Sequence, residues 1–426
     1  VAAMRLATIL QRTHIAHPAK RSDRNCPADK KTFARGPWGK ALEVTLRIAF
    51  VLSGLGAGGA EKVVNLLAHH RNAQGDIVHV LAVNADGPKS YFPYSSAIAI
   101  EALGGSARAM PRIAQAAQRL SRLRRRLVAL KPDLVVSFLT KVNVLVGLAT
   151  RGLNTPIIMS ERNNFTSQET HLFWRLIQPI AVRGAASLVM QTQDAFQSLP
   201  PNLRGKAEII PNPVTLPPDV ARIPSQGTRV VAVGRLEKQK GFDLLLQAFS
   251  YVARSVPTAE LTIFGDGSQR GALEHLARDL GIGDNVKMPG VTRFPLEWVG
   301  AGDIFVLSSR FEGFPNVLLE AMTAGLPSIA FDCSWGPSEI LSSPDAGLLV
   351  PPGDVQQLSE AILSLMADPA LRNKLSTCGS AAASARYATS SVLQQWDNVI
   401  ARSVKPPSLK SSYSESAAPP RAQRHA

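Results

Sequence analysis

Long apolar runs are missing from this chain of 426 residues. None approaches the roughly 18 to 20 residues that a bilayer-crossing helix needs, which excludes an integral helical membrane protein. Cysteine is scarce: Cys26, Cys333 and Cys378 are scattered and form no C-x-x-C pair. That argues against a disulfide scaffold and a cysteine zinc site, and fits a reducing cytoplasm. The first residues hold no apolar core of the about 7 to 15 residues that a secretory signal requires. No cluster of Asp, His or Cys has metal-ligand spacing, so no metal is expected to be required. Acidic residues run short, with 32 Asp and Glu against 47 Lys and Arg, a net charge of +15 and a pI near 10.1. Such a surface attracts polyanions: nucleic acid, an anionic leaflet or phosphorylated substrates. Nucleic acid is set aside, because no zinc finger or RNA-recognition motif is present.

What is present suits an α/β protein with full-sized cores: 45% hydrophobic residues, 19% charged and a mean hydropathy of +0.03. Short β-branched runs alternate with helical patterns. In the first half, Ile48–Leu52, Ile77–Val83, Leu134–Phe138, Pro156–Ser160 and Ser187–Met190 read as strands, and helices such as Glu61–Ala73 and Val142–Arg151 follow most of them. The second half repeats this with Arg229–Val233, Glu260–Phe264, Val286–Met288, Ile304–Leu307, Ser328–Phe331 and Gly347–Val350. Strands buried on both faces and separated by helices form parallel sheets in βα units. The expected fold is therefore α/β: two doubly wound, Rossmann-like domains facing each other across a cleft. Pro211, Pro213, Pro217 and Pro218 mark a linker over 211–227. It separates a domain over 47–210 from one over 228–385, and a helix over 386–402 is expected to pack back toward the first domain. Residues 1–46, basic and aperiodic, read as a disordered extension, and 403–426, rich in Pro, Ser and Ala, as a flexible tail.

Strand Ile48–Leu52 runs into Gly54-Leu55-Gly56-Ala57-Gly58-Gly59, a G-x-G-x-x-G run ahead of a helix. One reading is a dinucleotide fingerprint, but that pattern expects an acidic residue about 20 positions on. The second strand instead ends in Val83-Asn84-Ala85, and Asp86 arrives late. The other reading is a tight turn at Gly56, Gly58 and Gly59 whose backbone amides approach a phosphate at a helix start.

The densest chemistry lies between Ser308 and Met322. A strand ends near Leu307, a loop carries Glu312, and Pro315 pre-sets the first turn of a helix. The unpaired amides of Gly313, Phe314 and Asn316 would point beside the strand ends, where open α/β sheets bind ligands. Glu320, about one turn inside the helix, needs hydrogen-bond donors, and a pair of sugar hydroxyls supplies them. The plainer alternative is a helix-capping Glu312 and a partly exposed Glu320. Upstream, strand Arg229–Val233 ends in Gly234-Arg235-Leu236-Glu237-Lys238-Gln239-Lys240-Gly241. Arg235 and Lys240 together suit a diphosphate, one by bidentate hydrogen bonding and the other as a point charge. The alternative is two solvated loop cations. Gly265 and Gly267, after strand Glu260–Phe264, give a further close-approach turn in the same row.

Taken together, these motifs resemble the GT-B fold glycosyltransferases of glycosyltransferase family 4, over 47–402. The resemblance rests on Gly-Arg-Leu…Lys-Gly (234–241), Phe-Gly-Asp-Gly (264–267), Glu312 and Glu320 with seven residues between, and Gly-Pro-Ser-Glu-Ile (336–340). Gly-Ala-Gly-Gly-Ala-Glu (56–61), Ser-Phe-Leu-Thr-Lys-Val-Asn (137–143) and Ser-Glu-Arg-Asn-Asn (160–164) are similar to bacterial enzymes that extend lipid-linked oligosaccharides in exopolysaccharide or glycan assembly. The resemblance implies that Arg235 and Lys240 hold a donor diphosphate and that Glu320 holds ribose hydroxyls. It implies that Glu312, with the amides of Gly313 and Phe314, grips the donor sugar, and that the glycine loop 56–59 approaches the same phosphates when the cleft closes. Many family members carry a His after the strand equivalent to Leu134–Phe138. This chain has Leu139, Thr140 and Lys141 there, so the acceptor-side group is open among Lys141, Asn143, Glu161 and Arg162.

The implied reaction retains the donor's anomeric configuration, with a UDP-linked hexose or N-acetylhexosamine as the favoured donor and GDP-mannose second. Glu312 is the one carboxylate placed near the anomeric carbon, and the family role makes it a hydroxyl ligand. Same-face transfer through a short-lived oxocarbenium-like ion pair is then expected, with leaving-group charge stabilised by Arg235, Lys240 and helix amides. No cofactor beyond the nucleotide sugar is expected. GT-A enzymes usually use a D-x-D metal site, and that tripeptide is absent here. The expected partners are a nucleotide sugar and a lipid-linked oligosaccharide. Arg119, Arg122, Arg124, Arg125 and Arg126 crowd a helix whose Leu120, Leu123, Leu127 and Leu130 share one face. That helix is either core-facing with a solvated basic side or a dock for anionic lipid, which would place a cytoplasmic enzyme on the inner face of the membrane. The rival functions are a sugar-nucleotide epimerase or hydrolase on a similar scaffold, and a non-catalytic binder of nucleotide sugars.

Overall fold

A computed structural model describes residues 45–104, 111–162, 181–214, 226–292, 294 and 296–404. The expected extension (apart from 45 and 46), the linker residues 215–225, Asn163, Asn164 and the tail beyond 404 lie outside the described residues. The first half builds a seven-stranded sheet from β1 (Arg47–Leu52), β2 (Ile77–Ala82), β3 (Ala99–Ala102), β4 (Leu134–Phe138), β5 (Ile157–Ser160), β6 (Ser187–Met190) and β7 (Ala207–Ile209). The second half builds a six-stranded sheet from β8 (Arg229–Val233), β9 (Glu260–Phe264), β10 (Val286–Gly290), β11 (Ile304–Leu307), β12 (Ser328–Phe331) and β13 (Leu348–Val350). Their orders are β3-β2-β1-β4-β5-β6-β7 and β10-β9-β8-β11-β12-β13, and every pairing is parallel.

Parallel strands covered by helices on both faces are apolar on both. In β1, Ile48, Phe50 and Leu52 face a core shared with helix Gly59–Ala73. Ala49 and Val51 face the opposite core, with Leu123 and Leu127. In both sheets the chain reverses its winding between two adjacent strands, β1 and β4 in the first and β8 and β11 in the second. At such a switch point the loops beyond the strand ends splay apart and leave a crevice. The motifs of interest therefore converge: the glycine loop follows β1, Leu139 follows β4, Arg235 and Lys240 follow β8, and Glu312 follows β11.

The two halves interlock. Helix Thr389–Ser403 buries Val392, Trp396, Val399 and Ile400 in the first sheet's core. Its Asp397 accepts hydrogen bonds from Arg71 Nη1 and pairs with His70 Nε2, both at 2.8 Å. Trp335, from the loop after β12, is buried in the core on the other face of the first sheet. Val214 bridges to Ala388, and its N–H donates to the Tyr387 carbonyl at 3.0 Å.

Two features of the sheets depart from the sequence reading. The edge strands β3 and β7 carry no β-branched run and are only half-buried. An edge strand pairs on one side alone and needs little of the apolar pattern that reveals a central strand. β10 continues through Pro289 to Gly290 with a register shift after Lys287, which an edge position tolerates because the missing N–H would have faced outward. The basic helix Arg112–Leu130 turns Leu123, Leu127 and Leu130 into the core, as in the core-facing alternative read from its sequence. Several of its arginines are also structural. Arg122 donates to the Gly104 carbonyl at 2.6 Å, Arg124 to those of Ala149 and Arg151 at 2.8 Å, and Arg126 clasps both oxygens of Glu101. Among the described residues no helix is long and apolar enough to cross a membrane.

Candidate active site

A cavity of about 440 Å³ opens between the two switch points. Its second-half wall is built from the loops after β8 and β11, which are stitched together. Ser308 Oγ donates to the Lys240 carbonyl at 2.9 Å, and Gln239 Nε2 donates to the Phe311 carbonyl at 3.0 Å. These bonds fix Lys240 Nζ at 2.6 Å from Glu312 Oε1, and Ser309 Oγ donates to the same oxygen, also at 2.6 Å. Glu312 is only 5% exposed, so these two donors stand where water would otherwise bond it. Arg235 is exposed and lines the cavity with Gly313, Phe314 and Asn316. Among the described residues its one side-chain bond is a long 3.3 Å contact to Gln239, which leaves most of its fork available to a ligand. Helix Asn316–Thr323 begins at the cavity edge, but the Asn316 N–H, expected to be unpaired, donates to the Phe314 carbonyl at 2.9 Å, and that of Leu318 donates to the Pro315 carbonyl at 3.0 Å.

The first-half wall comes from the glycine loop, from Leu139, and from Arg162 and Gln191 just beyond β5 and β6. Gly58 and Gly59 line the cavity, whereas Gly56 is exposed and a side chain there would meet nothing. A β-carbon on Gly59 would overlap the side-chain amide of Asn316 on the opposite wall, which would have to shift. Leu139 holds φ 78, ψ 143, a conformation that is uncommon for a branched residue and that tends to cluster at functional sites. Glu61, in the first turn after the loop, also lines the cavity, and burial raises its carboxyl pKa.

Of the four acceptor-side candidates, the cavity receives Arg162 alone. The helix after β4 begins at Thr140 rather than Val142, and this earlier start sets the directions of Lys141 and Asn143. Lys141 is exposed to solvent. Asn143 turns inward, accepting from Ser137 Oγ at 2.7 Å and donating to the Ser160 carbonyl at 3.1 Å. Glu161 is also buried and accepts from Thr140 Oγ1 at 2.8 Å and from the Arg162 N–H at 3.1 Å. Gly265 and Gly267 do not line the cavity either. Gly265 sits at φ 140, and a β-carbon would strike the Gly234 carbonyl; one on Gly267 would strike the Leu236 carbonyl. Both glycines let the turn after β9 nest against the loop that carries Arg235.

Glu320 lies outside the main cavity, beside a gap of about 10 Å³ bounded by Gly59, Lys62, Asn212 and Asn316. Lys62 of the first half reaches it at 2.7 Å. Asn212, 4% exposed, donates to Asn316 Oδ1 at 2.6 Å. Lys62, Gln191 and Asn212 carry no motif, and only the folded chain brings them to the site. Among the described residues no group of three or more His, Cys, Asp or Glu side chains is gathered to hold a metal.

Comparison with known proteins agrees with this geometry. The family model described as Glycosyltransferase Family 4 matches residues 57–216, and that described as Glycosyl transferases group 1 matches 218–381. An exopolysaccharide phosphotransferase of Streptomyces coelicolor is 31% identical over 388 residues, covering 83% of this chain; the chain spans only 40% of that relative's length. An uncharacterized glycosyltransferase of Haemophilus influenzae is 26% identical over 356 residues, covering 83% of this chain and 99% of the relative. Among solved structures, a sucrose-phosphate synthase of Thermosynechococcus elongatus superposes with a TM-score of 0.71 at 18% identity, covering 84% of this chain and 98% of that one. HepE of Anabaena, solved in complex with UDP, superposes with a TM-score of 0.68 at 19% identity, covering 84% and 100%. At such identities the superpositions show the shared two-domain fold.

Proposed function

The chain belongs to the family 4 glycosyltransferases of GT-B fold, and on that premise we propose that it moves a hexosyl or N-acetylhexosaminyl group from a UDP-sugar to a lipid-linked glycan, with retention of anomeric configuration. The observation that carries this reading is the Lys240–Glu312 pair at one end of the cavity with Arg235 free beside it. One carboxylate and two cations at adjacent strand ends match a sugar joined to a diphosphate: hydroxyls for Glu312, phosphate oxygens for Arg235 and Lys240. A UDP complex of a structural neighbour supports a uridine donor, and relatives in exopolysaccharide and lipopolysaccharide core synthesis support a cell-envelope acceptor.

In this reading Lys240 uses one N–H to hold Glu312 and offers the others to the diphosphate. As the glycosidic bond to the diphosphate lengthens, negative charge grows on the leaving oxygen. It meets Arg235 and Lys240, with Gly313 and Phe314 beside them on the cavity wall. Glu312 is already held by Lys240 and Ser309, so it serves better as a hydroxyl ligand than as a nucleophile. The acceptor oxygen then attacks from the face that the diphosphate leaves, and the departing phosphate oxygen takes its proton. The test is to incubate the protein with UDP-glucose, UDP-galactose, UDP-N-acetylglucosamine and GDP-mannose plus a membrane extract of lipid-linked acceptors. Labelled sugar in the lipid phase, with the donor's anomeric configuration by NMR, is the expected result. Free sugar released at the same rate with or without acceptor would mean a hydrolase, and an inverted product would remove the same-face mechanism.

A further inference from the structure

Among the described residues, the wall that the first half gives to the cavity carries two charged side chains, Arg162 and Glu61. Arg162 is committed within the fold. Its Nε donates to Ser160 Oγ at 2.9 Å, its Nη1 donates to Asn212 Oδ1, and the Glu161 carboxylate opposes its charge. Glu61 is different. It is partly exposed, and among the described residues its carboxylate bonds only its own backbone N–H. The neighbouring Lys62 is taken by Glu320 at 2.7 Å, and the cavity's other carboxylate, Glu312, is held by Lys240 and Ser309. A carboxylate can accept about four hydrogen bonds, so Glu61 keeps most of its capacity for what enters the cavity.

A second observation places that carboxylate. Gly58, which also lines the cavity, has φ −79 and ψ 162, a backbone that any residue adopts. What its missing side chain provides is space for Glu61: a β-carbon on Gly58 would lie on Glu61 Oε2. The glycine thus seats the carboxylate against the cavity wall. Burial already raises its pKa, and substrates filling the cavity would displace the water that still reaches it. An ionised group stripped of water needs donors. A diphosphate has none to give and is repelled, whereas a sugar hydroxyl donates without bringing negative charge.

We propose that Glu61 holds the acceptor, accepting a hydrogen bond from a hydroxyl of the acceptor sugar other than the one that attacks. This rests on the donor reading given above, which assigns the second-half wall, with Arg235 and Lys240, to the nucleotide sugar. The first-half wall is then left to the acceptor. Glu61 takes no proton in the transfer, because that of the attacking hydroxyl passes to the departing phosphate oxygen. Its part is to orient the acceptor, so its effect falls on use of the acceptor and not on nucleotide affinity. None of Lys141, Asn143 and Glu161 lines the cavity, and Glu61 supplies the acceptor-side group that the sequence left open.

The experiment compares the full wild-type chain with Glu61→Gln and Glu61→Ala. UDP affinity is measured by calorimetry and folding by the urea midpoint. Transfer is measured from the UDP-sugar that the wild type uses to rising amounts of a membrane extract of lipid-linked acceptors, which gives kcat/KM for the acceptor. Glu61→Ala is expected to lower that kcat/KM by at least about tenfold, as loss of one charge-assisted hydrogen bond does, while UDP affinity stays within about twofold. Glu61→Gln keeps the shape and one acceptor oxygen, and is expected to fall between, at least about threefold below the wild type. Wild-type transfer efficiency in Glu61→Gln overturns the proposal even if Glu61→Ala does not fold. A loss of UDP affinity that matches the loss of transfer overturns it as well, since Glu61 would then serve the glycine loop and its helix and not the acceptor. A wild type that binds UDP but transfers nothing to the extract overturns it together with the acceptor reading. A wild type that does not bind UDP overturns the donor reading beneath it.

Discussion

Removing Lys240 has two separable effects, and the structure sets the size of each. The side chains of Lys240 and Glu312 are 14% and 6% exposed, much closer to a buried ion pair than to a surface one. Breaking a buried pair on one side costs about 3 to 5 kcal/mol, because the surviving charge stays buried; an exposed pair would cost no more than about 1 kcal/mol. In Lys240→Met the apolar stem over Gly234 is largely kept, and Glu312 retains only Ser309 as a side-chain donor. A loss near the lower bound, about 3 kcal/mol, is therefore expected in urea unfolding. Glu312→Gln should cost less, since the ammonium can still bond an amide oxygen. The double variant should recover at least about 1.5 kcal/mol relative to the sum of the singles, as contacting charges do in a double-mutant cycle. Additivity within about 0.5 kcal/mol would mean that the pair is not coupled in solution, and the reasoning built on it would fail.

Five further outcomes are expected. Arg235→Ala should leave stability unchanged, because Arg235 is exposed and forms no ion pair among the described residues, yet lower turnover by about 10²-fold, read from nucleotide release against the urea midpoint. Glu320→Ala should mainly weaken free-nucleotide binding, and Glu312→Ala mainly turnover, so that titration and kinetics divide the two roles; identical defects would contradict the division. Gly265→Ala should destabilise by more than about 2 kcal/mol through its clash with the Gly234 carbonyl, with the loss visible in unfolding whether or not a ligand is present. Arg124→Gln and Arg126→Gln should lower stability, because both residues bond within the fold, whereas Arg125→Gln should not. Any binding of the protein to anionic vesicles should vanish at high salt, since the leucines of this helix are committed to the core.

Central strands were legible in the sequence because burial on both faces leaves continuous apolar runs. β4, β6, β8, β9, β11 and β12 have the expected limits. The edge strands β3 and β7 were not, because pairing on one side asks little of Ala-Ile-Glu-Ala or Ala-Glu-Ile. The second-half wall was also legible: Arg235, Lys240, Glu312 and the amides after it stand in short motifs at the ends of recognisable strands. The first-half wall was harder for two reasons. The directions of Lys141 and Asn143 depend on which residue opens a helix, and a shift of two positions rotates a side chain by about half a turn. Lys62 and Asn212 act on partners 258 and 104 residues away, pairings that no local pattern encodes. The apolar stripe of helix Arg112–Leu130 reads alike for a core and for a membrane, and the core, with Leu123 and Leu127 in it, claims it.

The central claim is that the loops after β8 and β11 form the seat of a nucleotide sugar. Titration of UDP and of GDP into the wild-type protein and into Arg235→Ala/Lys240→Met, by calorimetry at fixed ionic strength, tests it most directly. The account predicts saturable binding of UDP to the wild type, weaker binding of GDP, and a loss of at least about 10²-fold in UDP affinity in the double variant, as removal of two charge-assisted contacts requires. Equal UDP affinity in the two proteins, or no binding of either nucleotide to the wild type, would contradict it.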